Sequence, residues 1–91
     1  MAVLLKIDGS QQTVAPKHPP SFSLEELQGF VGGYIEVVSL GNGSLLVINE
    51  EGKLERLAYN EQATQRAQGH LWPADYIAGP AVVVSEQELG E

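Results

Sequence analysis

The sequence predicts an α+β domain in which an antiparallel meander sheet of about four to five strands carries two helices packed on it. Helix-start signals stand at Ser23 and Asn60, each before a stretch with helical spacing. Short β-prone runs alternate with Asp-Gly, Asn-Gly and Glu-Gly pairs, which we interpret as tight turns. The valine run at 82–84 indicates a last strand that is buried on both faces.

Length and composition favour one folded unit over residues 1–91. A chain of 91 residues is too short for two independent cores, and self-association would help to stabilise it. A hydrophobic content of 43% with 19% charged residues argues against wholesale disorder. Within this unit we expect a proline-rich loop or edge segment over residues 10–22 and a frayed acidic tail over residues 86–91.

Charge and cysteine content exclude several functions. With 5 basic against 12 acidic residues the net charge is -7, so we expect no binding to a nucleic-acid polymer. The absence of cysteine excludes disulfides and thiolate chemistry and fits the cytoplasm of a bacterial host. No run approaches the roughly 18 apolar residues that span a bilayer, so we expect no membrane partner.

Two capping patterns define the predicted helices. Ser23 and Glu26 form a capping box before a helix that Gly32 ends. Asn60 caps the second helix, which ends before Gly69. Each helix presents an apolar or small-residue stripe to a sheet.

The turns also predict a strand register. A two-residue turn at 42–43 pairs Glu36 with Asn49, and a second turn at 51–52 leads into a strand that carries Arg56 on the same face. Both faces of this sheet are apolar in the middle, so we expect cover on both sides.

This register gathers an acid, an amide and a guanidinium on an apolar face. A buried carboxylate without a partner is unfavourable, so Glu36 must pair with Asn49 and Arg56 or with a ligand. The trio is either an internal network that sets the register or a pocket, in which Arg56 faces an anion and Tyr34 or Trp72 stacks on a base. The predicted ligand-binding residues are Tyr34, Glu36, Asn49, Arg56, Asn60, Trp72 and Asp75.

No catalytic residue, metal or cofactor is predicted. The serines lack the context of a nucleophile elbow, and His18 and His70 lie in loops without metal-ligand spacing. The glycines of GFVGG follow a helix instead of opening one, unlike a phosphate loop. An enzyme that uses Glu36 and Asp75 on a nucleotide stays an alternative.

Four blocks of the sequence carry a family resemblance: VGGYIE at 31–36, NEEGKL at 49–54, N-x-x-A-T at 60–64, and the step Asp75-x-Ile77-x-Gly79. In this order they resemble the bacterial and phage family called domain of unknown function 3846. The family pattern has a proline after the leucine that here is Leu57, whereas this chain has Ala58. The resemblance implies no settled activity, but it implies a short accessory protein of phages, prophages or plasmids.

That context leads to two functional hypotheses. The first is a non-enzymatic binder, a homo-oligomer that sequesters a small nucleotide-derived signal of bacterial antiviral immunity. The second is an acidic protein-binding inhibitor or DNA mimic that acts on a host defence protein. Its surface would use the carboxylates of Glu25, Glu26, Glu50, Glu51, Glu55 and Glu61. The sequence names neither the ligand nor the number of subunits.

Overall fold

A computed structural model describes residues 2–90, which form a five-stranded antiparallel sheet with three short helices. This confirms the predicted α+β class. The strands are β1 (Ala2–Leu5), β2 (Gln11–Val14), β3 (Ile35–Ser39), β4 (Ser44–Asn49) and β5 (Ala81–Ser85). The helices are α1 (Leu24–Val31), α2 (Glu61–Arg66) and α3 (Glu86–Leu89). Within residues 2–90, no helix is long and apolar enough to cross a membrane.

The last strand lies in the middle of the sheet. The strand order is β2-β1-β5-β4-β3, and every neighbouring pair is antiparallel. Within the sheet of residues 2–90, β5 therefore joins the two hairpins β1-β2 and β3-β4, so the sheet is not the meander that the sequence predicted. Burial on both faces of the central strand is what the valine run predicts. Val82 and Val84 are buried on the face that packs against α1, and Ala81 is buried on the other face.

Both predicted helix starts are confirmed. The Ser23 hydroxyl accepts from the Glu26 N–H at 3.1 Å, and the Glu26 carboxylate accepts from the Ser23 N–H at 3.0 Å. Gly32 ends α1 in the left-handed conformation with φ 82°. Asn60 caps α2 by accepting from the Ala63 N–H at 3.1 Å.

The sheet is covered on both faces, as its two apolar faces predict. On one face, α1 packs Leu27 and Val31 over Val47 and the central strand. On the other face, α2 packs against β1 and β4 through Ala63 and Ala67, both completely buried. The small side chains are thus the part of this short helix that faces the core, which accounts for the stripe seen in the sequence.

The predicted register of β3 and β4 is wrong by one residue. Glu36 pairs with Ile48, and Ile35 pairs with Asn49. The turn is longer than two residues, because Gly41 and Gly43 both adopt positive φ, of 81° and 83°. Since neighbouring residues of a strand point to opposite faces, Glu36 and Asn49 lie on opposite sides of the sheet.

The predicted strand over residues 53–58 is also wrong, because this segment begins as a helical turn. The Glu55 N–H donates to the Glu51 carbonyl at 2.9 Å, a helical spacing. Arg56 then takes the left-handed conformation, with φ 57°. Leu54 is 81% exposed, so the alternation that suggested a strand does not reflect burial.

Two segments of the domain also differ from the prediction. Of the predicted loop over residues 10–22, Gln11–Val14 form the edge strand β2, so the edge alternative holds for that part. Most of the tail predicted as frayed is α3, whose cap Ser85 shares a capping box with Glu88. Glu91, the last residue of that tail, lies outside the described residues.

Candidate functional site

A groove of about 320 Å³ lies on the α2 face of the sheet, where β3 and β4 meet the turn that follows them. We call it the inner groove. Its walls are β3 and the end of β4, turn residues 52–54, Leu71 and residues 75–78. Its apolar lining comes from Val38, Ile48, Leu54, Leu71 and Ile77.

The polar groups of the inner groove come from three separate elements. Lys53, on the turn, forms an ion pair with Asp75 and lies 4.7 Å from the ring centre of Tyr76. The Asp75 carboxylate also accepts from the Tyr76 N–H at 2.8 Å, which orients it. A cation, a carboxylate and an aromatic face thus share one wall.

Glu36, on β3, also lines the inner groove, and its side chain is exposed. Within residues 2–90 no hydrogen bond or ion pair engages its carboxylate. The expectation that Glu36 is buried and must be paired is therefore wrong. Its oxygens are available to accept bonds from hydroxyl or amino groups of a ligand.

Close approach of the backbone shapes this groove. A Cβ atom on Gly52 would lie 2.4 Å from the carbonyl oxygen of Ala78, so only glycine fits there. The missing side chain lets the turn that bears Lys53 lie directly against the segment that bears Asp75. The sequence separates these two residues by 22 positions, and no local pattern links them.

A second hollow, which we call the edge channel, runs along the outer side of β3. It has a volume of about 610 Å³ and lies between residues 36–39 and the loop of residues 69–72 with Asp75. Trp72 stands at its rim and is 84% exposed. Glu36 and Asp75 line both the edge channel and the inner groove.

The structure brings three of the predicted site residues together around these hollows, namely Glu36, Trp72 and Asp75. Asn49 borders the inner groove, but its side-chain amide forms hydrogen bonds with other groups of the protein. Its Nδ2 donates to the Val31 carbonyl at 3.1 Å and to Glu55 at 3.3 Å, and its Oδ1 accepts from the Glu51 N–H at 2.8 Å.

The other three predicted residues lie away from the two hollows. Asn60 is completely buried, and its side chain bonds to the backbone of α2, which it caps, and of two other segments. Arg56 and Tyr34 are exposed, and neither lines the inner groove or the edge channel. Lys53 and Tyr76 take their place, and neither was among the predicted residues.

The sequence profile of one family, described as a domain of unknown function, matches residues 1–91. The chain belongs to the domain of unknown function 3846 family. The match extends beyond the blocks that suggested this family, because it includes the N-terminal residues. No curated protein and no solved structure matches the chain.

The blocks that suggested the domain of unknown function 3846 family meet in space. Residues 31–36, 49–54 and 75–79 each contribute to the lining of the inner groove. The block at 60–64 holds the buried cap of α2 instead. Three of the four blocks therefore surround one hollow.

Proposed function

We propose that this chain is a non-enzymatic binder that holds a small nucleotide-like molecule in the inner groove. The observation that carries the proposal is that Glu36, Lys53 and Tyr76 line one hollow of about 320 Å³, together with apolar side chains. Small-molecule sites are hollows of roughly 300–1,000 Å³ in which a few polar groups orient the ligand. The groove is at the small end of that range, so it suits one base or nucleoside.

The groups suggest a role for each wall. The ring of Tyr76 offers a stacking face, and Glu36 accepts from amino or hydroxyl groups. Lys53 can exchange Asp75 for a phosphate, because an exposed ion pair is worth only about 0–1 kcal/mol. Lys53 thus replaces Arg56 as the proposed anion contact.

The proposed biological role combines this binding site with the setting that the family resemblance implies. We propose that a phage or plasmid uses the chain, as a homo-oligomer in the cytoplasm of its bacterial host, to sequester a nucleotide-derived immune signal. Sequestration requires only affinity and a pre-organised site. The ligand would therefore leave the protein chemically intact.

The first prediction tests this site with matched charge removals. The protein is mixed with cyclic mono-, di- and trinucleotides, and binding is measured by native mass spectrometry and by the rise in melting temperature. Lys53→Ala should weaken binding about tenfold or more, which is a loss of about 1.4 kcal/mol. Arg56→Ala removes an exposed cation outside the groove and should leave binding unchanged.

Two results would contradict the proposal. One is a panel in which no nucleotide binds the unmodified protein, and the other is an equal loss for Lys53→Ala and Arg56→Ala. Recovery of a cleaved ligand from the denatured complex would point instead to the enzymatic alternative.

A protein partner is the second candidate function. The observation that favours it is the unpaired carboxylate of Glu36 beside the outer edge of β3. Binding driven by such acidic groups should weaken steeply with salt, because exposed charges are screened over about 8 Å at physiological ionic strength.

A further inference from the structure

The outer edge of β3 has unpaired backbone groups. The Tyr34 carbonyl accepts from the Glu50 N–H at 2.8 Å, and the Leu40 N–H donates to the Ser44 carbonyl at 3.0 Å. In an antiparallel pair the bonded residues alternate, so the even-numbered residues of β3 face β4. The odd-numbered residues turn their N–H and C=O groups outward. These residues are Ile35, Val37 and Ser39.

A hollow flanks this edge on each face of the sheet. The edge channel, with Glu36, Val38 and Trp72, lies on the α2 face. On the α1 face, a hollow of about 370 Å³ is lined by Val37, Leu45, Leu89 and Glu86, and we call it the Val37 hollow. Side chains of an extended strand alternate between the two faces. A strand added along β3 would therefore fill both hollows.

The two edges of the sheet differ in their protection. Strands exposed at an edge are commonly blunted by lysine, proline or short length. β3 has the sequence IEVVS, contains neither lysine nor proline, and exposes 40% of Val37. The opposite edge is β2, a four-residue strand with the sequence QQTV. The side-chain Nε2 of Gln11 donates a hydrogen bond to Oε1 of Gln62 at 2.7 Å. The edge of β3 is the longer of the two and has a hollow on each face, so it is the better candidate for strand addition.

Charge indicates the kind of strand. Glu36 points into the edge channel, and within residues 2–90 no cation pairs with it. Opposite charges on neighbouring strands attract, while like charges directly opposite each other destabilise a sheet. The net charge of -7 draws basic segments to the chain and repels acidic ones.

We propose that the edge of β3 binds an extended basic segment of another protein by strand addition. One apolar side chain of that segment covers Val37 and enters the Val37 hollow. A neighbouring lysine or arginine lies in the edge channel, between Glu36 and Trp72. Backbone bonds to the odd-numbered residues of β3 supply affinity, and the two hollows supply specificity.

The second prediction uses a displayed library of random linear peptides selected on the whole protein. Enriched sequences should carry lysine or arginine next to an apolar residue, in alternating positions. Val37→Pro removes one outward N–H and leaves the pairing of β3 with β4 in place, so it should weaken an enriched peptide about tenfold or more. Val37→Thr keeps that N–H and serves as the matched control.

A change on the peptide side tests the same bonds without altering the fold. Methylation of alternate amide nitrogens should abolish binding for one set of positions and spare the other set, because only alternate residues bond to β3. Glu36→Gln should reduce both the affinity and its dependence on salt. Lys53→Ala should not weaken peptide binding, because it frees the Asp75 carboxylate that also lines the edge channel, whereas it should weaken nucleotide binding; this contrast separates the two sites.

Three outcomes would overturn the proposal. The first is that the library selection returns no enriched sequence, or that the enriched peptides lack a basic residue. The second is that peptide binding is insensitive both to Val37→Pro and to the position of methylation. The third is that sedimentation shows a dimer that Val37→Pro dissociates, which would assign this edge to a second copy of the chain.

Discussion

Asn60 shows how one side chain can connect distant parts of a small protein. Its Nδ2 donates to the Leu5 carbonyl at 3.0 Å and to the Gly79 carbonyl at 2.9 Å, while its Oδ1 caps α2. The capping role was predictable because its signal is local. The two donor bonds span 55 and 19 positions, so they could not be read from neighbouring residues.

The third prediction concerns the loss of this side chain. Asn60→Ala leaves two buried carbonyls and one buried N–H without their partner, so the free energy of unfolding should fall by about 2–4 kcal/mol. Urea denaturation measures this loss. Asn42→Ala is the control, since that exposed side chain makes a single bond to the Ser44 N–H at 3.1 Å. Equal losses would contradict a special role for Asn60.

The candidate site was predictable only in part at this scale. Glu36 and Asp75 stood out as carboxylates and Trp72 as a lone loop tryptophan, and the structure brings them together. Arg56 was assigned to the site through a strand that does not form, so its placement failed with that strand. Lys53 joins Asp75 only through the tertiary fold.

Among the elements, helix starts were predicted better than strand pairing. A capping box is complete within four residues, so α1 could be placed from Ser23 and Glu26 alone. The pairing of β3 and β4 depends on the length of the turn between them. Gly41, beside the Asn42-Gly43 pair, allows a turn of more than two residues. A change of one residue in the turn moved Glu36 away from Asn49.

The fourth prediction tests the cap of α1 through pH. Hydrogen bonds from the Ser23 and Lys17 N–H groups hold the pKa of Glu26 below its ordinary value. A carboxyl whose pKa is lowered by folding adds stability above its unfolded pKa, and this stability disappears as the pH falls through the lowered value. Glu26→Gln should therefore destabilise the protein at pH 7 and flatten the acid limb of its stability curve, as measured by urea unfolding.

Glu25→Gln provides the comparison for Glu26. It removes a charge from the same first turn of α1 but no capping bond. A helix N-terminus stabilises negative charge by roughly 0.3–1 kcal/mol, so this variant measures the general effect. If both variants change the pH dependence equally, the capping bonds of Glu26 are not responsible.

For the whole molecule, the sequence predicted that both faces of the sheet are covered, but it did not predict the order of the strands. Two apolar faces predicted cover on both sides of the sheet, and α1 and α2 supply it. The position of β5 between β1 and β4 could not be predicted from local patterns, because both of its partners lie more than 30 positions away in the sequence. Hydrophobic runs indicate burial, but they do not say which strands are neighbours.

The fifth prediction follows from the net charge of -7. Folding concentrates this charge, so screening should stabilise the native state. Raising NaCl from about 10 to 150 mM shortens the screening length from about 30 to 8 Å, and the free energy of unfolding should rise by roughly 1 kcal/mol. A double variant, Glu50→Gln with Glu51→Gln, should show a smaller rise. A decrease with salt would mean that ion pairs such as Lys53 with Asp75 dominate.

The central position of β5 also bears on how the protein is made. Synthesis proceeds from the N-terminus, so the ribosome delivers both hairpins before the strand that unites them. Until residue 85 has emerged, each hairpin exposes an edge that β5 will later cover. Assembly of the native sheet must thus wait until β5 has been synthesised, and a message truncated before codon 81 would yield two hairpins without the strand that joins them.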